Sequence, residues 1–326
     1  MTPETTAPAV DIGALELNPS DSGAVDRLAR ALCGGQVDDP QWVARARHAG
    51  DELPLPLRRG LRNFRRHSGS RGLLVVRGLP VDEAALPATP SAPDSVQRAA
   101  TVAAAVLVMA ACALGDPLAY LAEKSGALVQ DVVPVPGREA FSGNAGSVLL
   151  TFHNENAFHE HEPDYVLLLC LRADHDRTAG LRTACLRELL PILAQATREA
   201  LFAPEFRTAP PPSFGSGDTT GAPSPVLSGA PEDPDIRMAT IATTPLTPRA
   251  ATSLAEFGAA CNAVAHTTRL APGDLAIVDN RVTVHGRTAF HPRYDGADRW
   301  LQRTFAVTDL RRSRDHRPQD GYIITR

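Results

Sequence analysis

The side chains best suited to metal chemistry lie in two segments that are far apart in the chain. His153 and Glu155 are separated by one residue, and His285 follows 130 positions after Glu155. Two imidazoles and one carboxylate can bind Fe(II) on one face of its octahedral coordination sphere. The three positions that stay open suit a bidentate cosubstrate and dioxygen. A structural zinc site would require four protein ligands. The pattern therefore predicts a non-haem Fe(II) oxygenase site.

Two other histidines close to this pair are alternative ligands. His159 and His161 are also separated by one residue, but Glu160 and Glu162 alternate with them, which is typical of a polar loop that leaves a site. The zinc-protease pattern HExxH does not occur here, because the chain reads Glu155-Asn-Ala-Phe-His159. Residue types alone leave both histidine pairs open as ligands.

Two arginines follow His285 at a spacing that suits a strand. Arg299, Leu301 and Arg303 alternate, so a strand would place all three on one face. The Cα atoms of the two arginines would then be about 13 Å apart. Buried guanidinium groups require anionic partners, and the pair predicts two carboxylates in the site. The alternative is a pair of surface arginines on an edge strand.

The elements that must position these residues follow from hydrophobic periodicity and turn residues. Helices are predicted at 22–33, 40–52, 56–67, 96–114, 183–195, 199–203 and 252–266. Strands are predicted at 72–78, 127–135, 147–154, 165–172, 273–279 and 299–309. The Pro/Gly/Ser-rich segment 208–234 is predicted to be a mobile loop over a site, and the residues from about 311 onward to be peripheral. A helical N-terminal part and a β-rich body indicate a sandwich or barrel.

Composition excludes several classes of function. The chain has 326 residues, 43% hydrophobic and 21% charged, with a formal net charge of −4. Its overall charge is slightly negative, so nucleic acid is not an expected partner. No apolar run reaches the roughly 18 residues of a membrane span, and no signal peptide is visible. The five cysteines form no CxxC pair, which predicts free buried thiols in a cytoplasmic protein.

Two long motifs resemble one family of enzymes. The first is His153-Asn-Glu155-Asn-Ala-Phe-His-Glu-His-Glu-Pro163-Asp-Tyr165, continued by Leu-Arg-Ala-Asp-His-Asp-Arg-Thr-Ala at 171–179. The second is Pro272-Gly-Asp-Leu-Ala-Ile-Val-Asp-Asn280, continued by His285-Gly-Arg and by Pro292-Arg-Tyr-Asp-Gly-Ala-Asp-Arg-Trp300. Both are similar to the clavaminate synthase-like oxygenases, which include β-hydroxylases of free asparagine and arginine. The resemblance covers about residues 115–312.

The resemblance implies the fold class and the metal chemistry. We expect an α+β fold with a double-stranded β-helix (jelly-roll) core flanked by helices. The family uses Fe(II), 2-oxoglutarate as cosubstrate and dioxygen. The resemblance assigns His153, Glu155 and His285 as the iron ligands and Arg299 as the residue that binds the distal carboxylate of 2-oxoglutarate, with no catalytic side chain beyond the metal ligands.

The resemblance also implies which residues bind the substrate. Arg303 would bind the substrate carboxylate, and Glu123 and Asn144 match an acid and an amide that hold the amino-acid backbone. An acid that pairs with a substrate ammonium is physically sensible. The alternatives are a solvated loop charge for Glu123 and a turn residue beside glycines for Asn144.

The chain departs from the family pattern at two positions. Relatives that bind cationic or amide side chains usually carry an aspartate shortly after an Ile-Arg pair, where this chain has Ala239. A guanidinium buried there would lack its counter-charge, so we expect that the substrate side chain is not a guanidinium. Relatives also tend to have a threonine that helps to hold 2-oxoglutarate, where this chain has Leu181. Thr178 or Thr183 is a possible substitute.

The predicted organisation is a flexible N-terminus at 1–20 and a single oxygenase domain at 21–326. The domain would have a helical part at 21–115 and a β-helix core at about 116–312. The predicted reaction is hydroxylation of an unactivated C–H bond of a free amino acid, or of an intermediate derived from one, in antibiotic-type metabolism, with succinate and CO2 as coproducts. The alternatives are an oxygenase that acts on a larger or carrier-protein-bound intermediate, by hydroxylation, desaturation or cyclisation, and a non-catalytic ligand-binding relative.

Overall fold

The elements are taken from a computed structural model, which describes residues 13–214 and 222–325. Its α-helices are α1 (Pro19–Ala31), α2 (Pro40–Asp51), α3 (Leu55–Arg66), α4 (Val102–Leu114), α5 (Leu186–Leu189), α6 (Gln195–Leu201) and α7 (Pro248–Val264). The first eight strands are β1 (Ala14–Glu16), β2 (Leu73–Arg77), β3 (Asp116–Tyr120), β4 (Gln130–Val132), β5 (Leu150–His153), β6 (Tyr165–Arg172), β7 (Leu181–Cys185) and β8 (Phe206–Thr208). The remaining strands are β9 (Leu227–Ser228), β10 (Asp235–Ile236), β11 (Thr243–Pro245), β12 (His266–Thr268), β13 (Leu275–Asp279), β14 (Thr283–Arg287), β15 (Trp300–Val307) and β16 (Ile323–Ile324).

Two sheets form the β-rich body. The larger has the strand order β1-β2-β13-β6-β15-β3-β16, and β4 also pairs with β15. The smaller has the order β12-β7-β14-β5. Neighbours in the smaller sheet are antiparallel, and β15 is antiparallel to β6, β3 and β4. Because many neighbours are distant in the chain, the sheets bring together segments from both halves of the sequence.

The N-terminal helices cover one face of the larger sheet. Helix α4 is buried on nearly all sides, because the side chains of α1, α2 and α3 and those of the sheet belong to the same apolar core. The Thr101 side chain caps its first turn by accepting from the Ala104 amide. Helix α4 ends at Gly115, where an added Cβ would lie 2.1 Å from the Val307 carbonyl oxygen. This close approach holds α4 against the sheet that carries the arginines of the site.

A second apolar core supports the smaller sheet from outside. Phe152 of β5 and Val284 of β14 pack there with Phe257 of α7. Side chains alternate along these strands, so the residues beside Phe152 and Val284 point to the opposite face. That inner face carries His153 and His285.

Several predicted elements differ from those observed. The helix predicted at 183–195 is wrong at its start, since Leu181–Cys185 form a strand between β12 and β14. The helix predicted at 96–114 begins only at Val102. The flexible N-terminus predicted at 1–20 is wrong from residue 14, because Ala14–Glu16 pair with β2; residues 1–12 lie outside the described residues.

The predicted loop and the C-terminal segment also need correction. Leu227–Ser228 pair with β10, within the loop predicted at 208–234, and residues 215–221 of that loop lie outside the described residues. The C-terminal residues are not peripheral, since Ile323–Ile324 pair with β3. The cysteines are free as predicted, but Cys33 is exposed rather than buried. Among the described helices, none has the length and apolarity that a membrane crossing needs.

Candidate metal centre and cosubstrate site

The three predicted ligands converge at the inner face of the smaller sheet. His153 of β5 and His285 of β14 are direct cross-strand partners, with ring centroids 4.5 Å apart. Nε2 of His285 lies 3.6 Å from Oε1 of Glu155. One ligand atom from each of the three residues lies within 4.8 Å of the others. The neighbouring strand β14 therefore brings His285 to the pair His153 and Glu155.

Glu155 does not lie on a strand, because β5 ends at His153. Two buried asparagines hold the turn that presents it. Asn154 donates to the Asn280 carbonyl oxygen over 2.6 Å and accepts from the Met238 amide over 3.1 Å. The Asn280 side chain accepts from the Glu155 amide over 2.9 Å and donates to the Pro163 carbonyl oxygen over 2.9 Å. These bonds fix the carboxylate beside the histidine pair.

A glycine allows the two ligand strands to approach each other. An added Cβ at Gly286 would lie 2.4 Å from the Leu150 carbonyl oxygen. The pairing of β14 with β5 also has an irregularity between His285 and Arg287. A larger residue at 286 would separate β14 from β5 and with them the two imidazoles.

The polar environment prepares the ligands for a metal cation. Nδ1 of His153 lies 2.9 Å from the Thr151 carbonyl oxygen. This contact fixes the ring and leaves the lone pair of Nε2 available for a metal ion. Burial, reinforced by the nearby His285, lowers the pKa of His153 to about 4, so the ring is neutral at pH 7. Nδ1 of His285 is buried and has no hydrogen-bond partner among the residues that the structure describes. A neutral ring with one nitrogen held by a carbonyl, as in His153, is the form of imidazole that binds a metal ion.

Glu155 is held as a carboxylate by a buried arginine. Arg303, 2% exposed, donates through Nη1 to Oε1 of Glu155 over 2.6 Å. Burial raises the pKa of Glu155. Arg303 and the two histidines lower it by a larger amount, so the net pKa is well below the ordinary value. Nη2 of Arg303 donates to Glu123 and Gln130. Oε2 of Glu123 is buried, and no hydrogen bond reaches it from residues 13–214 or 222–325.

Arg299 occupies a different environment, although it lines the same cavity as Arg303 and the three candidate ligands. It is 8% exposed, and its guanidinium lies 5.8 Å from the centroid of the Phe290 ring. In the described parts of the chain, no carboxylate pairs with it and no hydrogen bond from it is formed. Burial lowers its pKa, although the more distant Cys170 and Asp174 act in the opposite direction. An unpaired cation at the wall of a cavity is a site for an anion.

The alternative histidines do not join the metal group. His161 forms a separate group with Glu160 and His316, and the His159 ring packs edge-on against Tyr120. His159 and His161 therefore lie outside the group formed by His153, Glu155 and His285, and His159 is buried. The edge-strand alternative for the arginines is wrong, because β15 lies inside the larger sheet between β6 and β3.

The remaining predicted residues lie around the same centre. Asn144 and Leu181 line the cavity. Ala239 forms an antiparallel bridge with His153, which places it beside the metal group. Thr178 is engaged by Asp174, and Thr183 pairs across the strands with His285.

Three residues of the site were missed by the sequence reasoning. Gln130 is a partner of Arg303, Arg287 lines the cavity two residues after His285, and Phe290 lies below both Arg287 and Arg299. Alternation along β14 could have identified Arg287, since it shares a face with His285. Nothing local marks Gln130 or Phe290, whose roles depend on contacts between distant segments.

Comparison with known proteins agrees with this geometry. Residues 218–305 match the model of the Taurine catabolism dioxygenase TauD, TfdA family. The chain is 61% identical to the L-asparagine oxygenase of Streptomyces coelicolor over 94% of this chain and 93% of that protein. It is 37% identical to clavaminate synthase 2 of Streptomyces clavuligerus over 86% of each chain.

A solved structure supports the same relationship. Asparagine oxygenase in complex with Fe(II), 2S,3S-3-hydroxyasparagine and succinate superposes with a TM-score of 0.94 at 60% identity, covering 96% of this chain and 99% of that one. The identity and coverage of these relatives are sufficient to assign the family. The chain therefore belongs to the clavaminate synthase-like Fe(II)/2-oxoglutarate-dependent oxygenases, and it is an enzyme that uses Fe(II), 2-oxoglutarate and dioxygen to hydroxylate an amino acid.

Proposed function

We propose that His153, Glu155 and His285 bind the Fe(II) and that Arg299 binds the distal carboxylate of 2-oxoglutarate. The proposal depends chiefly on one observation, which is that two histidines, a carboxylate and a guanidinium without a partner among the described residues line a single cavity. Fe(II) bound with 2-oxoglutarate and dioxygen supplies the oxidising power for C–H hydroxylation, with succinate and CO2 as coproducts.

The protein side chains have separate tasks in this reaction. His153 and His285 are nitrogen donors whose orientation is fixed by β5 and β14. Arg303 keeps Glu155 ionised through their 2.6 Å hydrogen bond. Arg299 orients 2-oxoglutarate by a charge-assisted, two-pronged contact. The apolar cavity wall, which includes Leu168 and Leu301, excludes water from the reacting centre.

The substrate would bind as an α-amino acid on the Arg303 side of the cavity. Arg303 provides a cation for the α-carboxylate, and the unpartnered Oε2 of Glu123 provides an acceptor for the α-ammonium. Asn144 lines the cavity and offers both a donor and an acceptor. Together these three groups would hold the amino-acid backbone while its side chain faces the metal.

The substrate side chain is best described as small and without a positive charge. Ala239 is paired with His153 at the position where relatives that bind cationic or amide side chains usually carry an aspartate. A buried guanidinium beside Ala239 would lack a counter-charge, which costs several kcal/mol. Asparagine is the first candidate, because its amide is neutral and needs no counter-charge beside Ala239, and because the 61% identical relative is an L-asparagine oxygenase. Other small neutral amino acids are the next candidates.

We also infer that residues 21–326 fold as one domain and that the two sheets are the faces of a double-stranded β-helix. The cavity supports this, since its lining comes from both sheets: His285 and Leu181 from the smaller, Leu168 and Leu301 from the larger. A sandwich with its site between the sheets is the arrangement expected of a jelly roll.

A succinate-release screen tests the proposed substrate. The protein is incubated with Fe(II), 2-oxoglutarate and air in the presence of asparagine, other neutral amino acids, arginine, or asparagine attached to a carrier protein. We expect succinate and a product 16 Da heavier than its substrate with a free neutral amino acid. Efficient hydroxylation of arginine would contradict the role given to Ala239, and turnover of the carrier-bound form alone would favour the larger substrate.

A further inference from the structure

A second arginine faces the anion-binding end of the cavity. Arg287 lies on β14 two residues after His285, so both side chains are on the inner face of the smaller sheet. Arg287 is 4% exposed and lines the cavity together with Arg299. The Phe290 ring lies beneath both guanidinium groups. Its centroid is 5.0 Å from Cζ of Arg287 and 5.8 Å from Cζ of Arg299.

The positive charge of Arg287 is not compensated by the described residues. Its one hydrogen bond runs from Nη2 to the Val148 carbonyl oxygen over 2.9 Å, and its Nε is buried without a partner. No carboxylate in the described parts of the chain lies within ion-pair distance of it. Asp174, the acid that acts on Arg299 from a distance, is engaged by Thr178 and the Ala179 amide. Two buried cations therefore line one cavity, and neither has an anionic partner among the described residues.

The residue opposite Arg287 cannot bind an anion. Leu181 is the cross-strand partner of Arg287 in the pairing of β7 with β14. Leu181 lines the cavity and has no hydrogen-bond donor, and Thr178 donates its hydroxyl to Asp174. On this wall, Arg287 is the side chain placed to supply hydrogen bonds beside Arg299.

We infer that Arg287 is a second cationic residue of the 2-oxoglutarate site and positions the distal carboxylate together with Arg299. The inference rests on the proposed assignment of Arg299 to that carboxylate. A carboxylate has lone pairs for donors from both guanidinium groups, and binding it removes the repulsion between two unpaired cations. Arg287 also connects this carboxylate to the segment before β5 through the Val148 carbonyl.

The test measures the binding of 2-oxoglutarate by calorimetry, without oxygen, on protein loaded with Mn(II). Arg287→Gln removes the charge and keeps a polar side chain, and we expect the Kd for 2-oxoglutarate to rise about 10- to 100-fold, as for a lost charge-assisted contact. Arg287→Lys keeps the charge without the two-pronged geometry and should have an intermediate Kd.

A matched control comes from the next arginine across the sheet. Arg182 of β7 also lies over an aromatic ring, 4.5 Å from the Phe152 centroid, but it is on the outer face and donates to Asn262. Arg182→Gln should leave the Kd for 2-oxoglutarate unchanged. A second probe, 2-oxobutyrate, chelates a metal but lacks the distal carboxylate, and its Kd should not respond to Arg287→Gln.

The effect should be confined to cosubstrate binding. In turnover, Arg287→Gln should raise the KM for 2-oxoglutarate and change the kcat at saturation by much less. Replacing Leu181 with threonine in that variant should restore part of the affinity for 2-oxoglutarate. Equal weakening of 2-oxobutyrate, or an unchanged Kd for 2-oxoglutarate in a folded Arg287→Gln protein, would overturn the inference. If wild-type protein bound 2-oxoglutarate but Arg299→Gln did not weaken it, the assignment of Arg299 would fail instead.

Discussion

The replacement of Arg299 by methionine should change stability and cosubstrate binding in opposite directions. The arginine is 8% exposed and has no carboxylate partner in the described residues, so the ligand-free fold bears the cost of a desolvated cation. Such a cost is several kcal/mol, part of which is offset by about 0.5–1 kcal/mol from the Phe290 ring. We expect Arg299→Met to raise the free energy of unfolding of the ligand-free protein by about 1–3 kcal/mol.

The same substitution should remove most of the cosubstrate affinity. Two charge-assisted hydrogen bonds to a carboxylate are worth about 1.5–3 kcal/mol each, which corresponds to a Kd for 2-oxoglutarate at least about 100-fold higher. At about 2.1 cal/mol/K per residue, each kcal/mol shifts the Tm of a chain of 326 residues by about 1.5 °C. The Tm of Arg299→Met should therefore be about 2–4 °C above that of the wild type, and it should not rise further when 2-oxoglutarate is added.

Thermal unfolding with and without 2-oxoglutarate, in Mn(II)-loaded protein without oxygen, measures both effects. Arg293→Met is the control, because its side chain is 55% exposed and pairs with Asp176 on the surface, and both Tm values should stay close to those of the wild type. A Tm of Arg299→Met well below the wild type, together with a normal response to 2-oxoglutarate, would refute the reasoning.

Three further predictions concern the metal, the substrate and a buried lysine. His285→Ala should bind Fe(II) much more weakly, and removal of the metal from the wild type by a chelator should lower the Tm, since a ligand present at 100 times its Kd contributes about 2.7 kcal/mol; an unchanged Tm on chelation would contradict the site. Ala239→Asp should increase turnover of amino acids with cationic side chains relative to asparagine, because it restores a carboxylate beside His153; equal ratios in both proteins would exclude Ala239 as a specificity residue. Burial and the neighbouring Arg303 lower the pKa of Lys124 to about 8. Between pH 8 and about 10.4 the unfolded state therefore binds more protons than the folded state, so the free energy of unfolding should rise with pH in that window. Denaturant titrations of the wild type and of Lys124→Met at several pH values should show this rise only in the wild type.

The local hydrophobic pattern was enough to predict an element whose structure does not depend on distant segments. The apolar run at 165–172 was predicted to the residue, because a strand buried on both faces gives a continuous apolar sequence. The segment 183–195 was not, because Leu-Arg-Glu-Leu-Leu has good helix formers while the preceding residues pair with β12 and β14, which lie about 80–100 positions later. Pairing with distant strands overrode local propensity there.

The candidate site also has one part that the sequence was enough to predict and one part that depends on contacts between distant segments. Residue types and spacing, together with the family motifs, were enough to predict that His153, Glu155 and His285 converge. The state of Arg303 was not predictable, because its bonds to Glu155 and Gln130 join segments about 150–170 positions apart. The expectation that Arg303 binds a substrate carboxylate stays a prediction, and in the structure Arg303 donates to Glu155 and Glu123.

The central claim is that one cavity binds both the iron and 2-oxoglutarate. The most direct measurement is a crystal structure grown without oxygen with Fe(II) and 2-oxoglutarate, with anomalous diffraction recorded at the iron edge. We expect one strong anomalous peak bonded to Nε2 of His153, the Glu155 carboxylate and His285, with the distal carboxylate of 2-oxoglutarate at Arg299. An iron peak at Glu160, His161 and His316 instead, or a distal carboxylate away from Arg299, would contradict it.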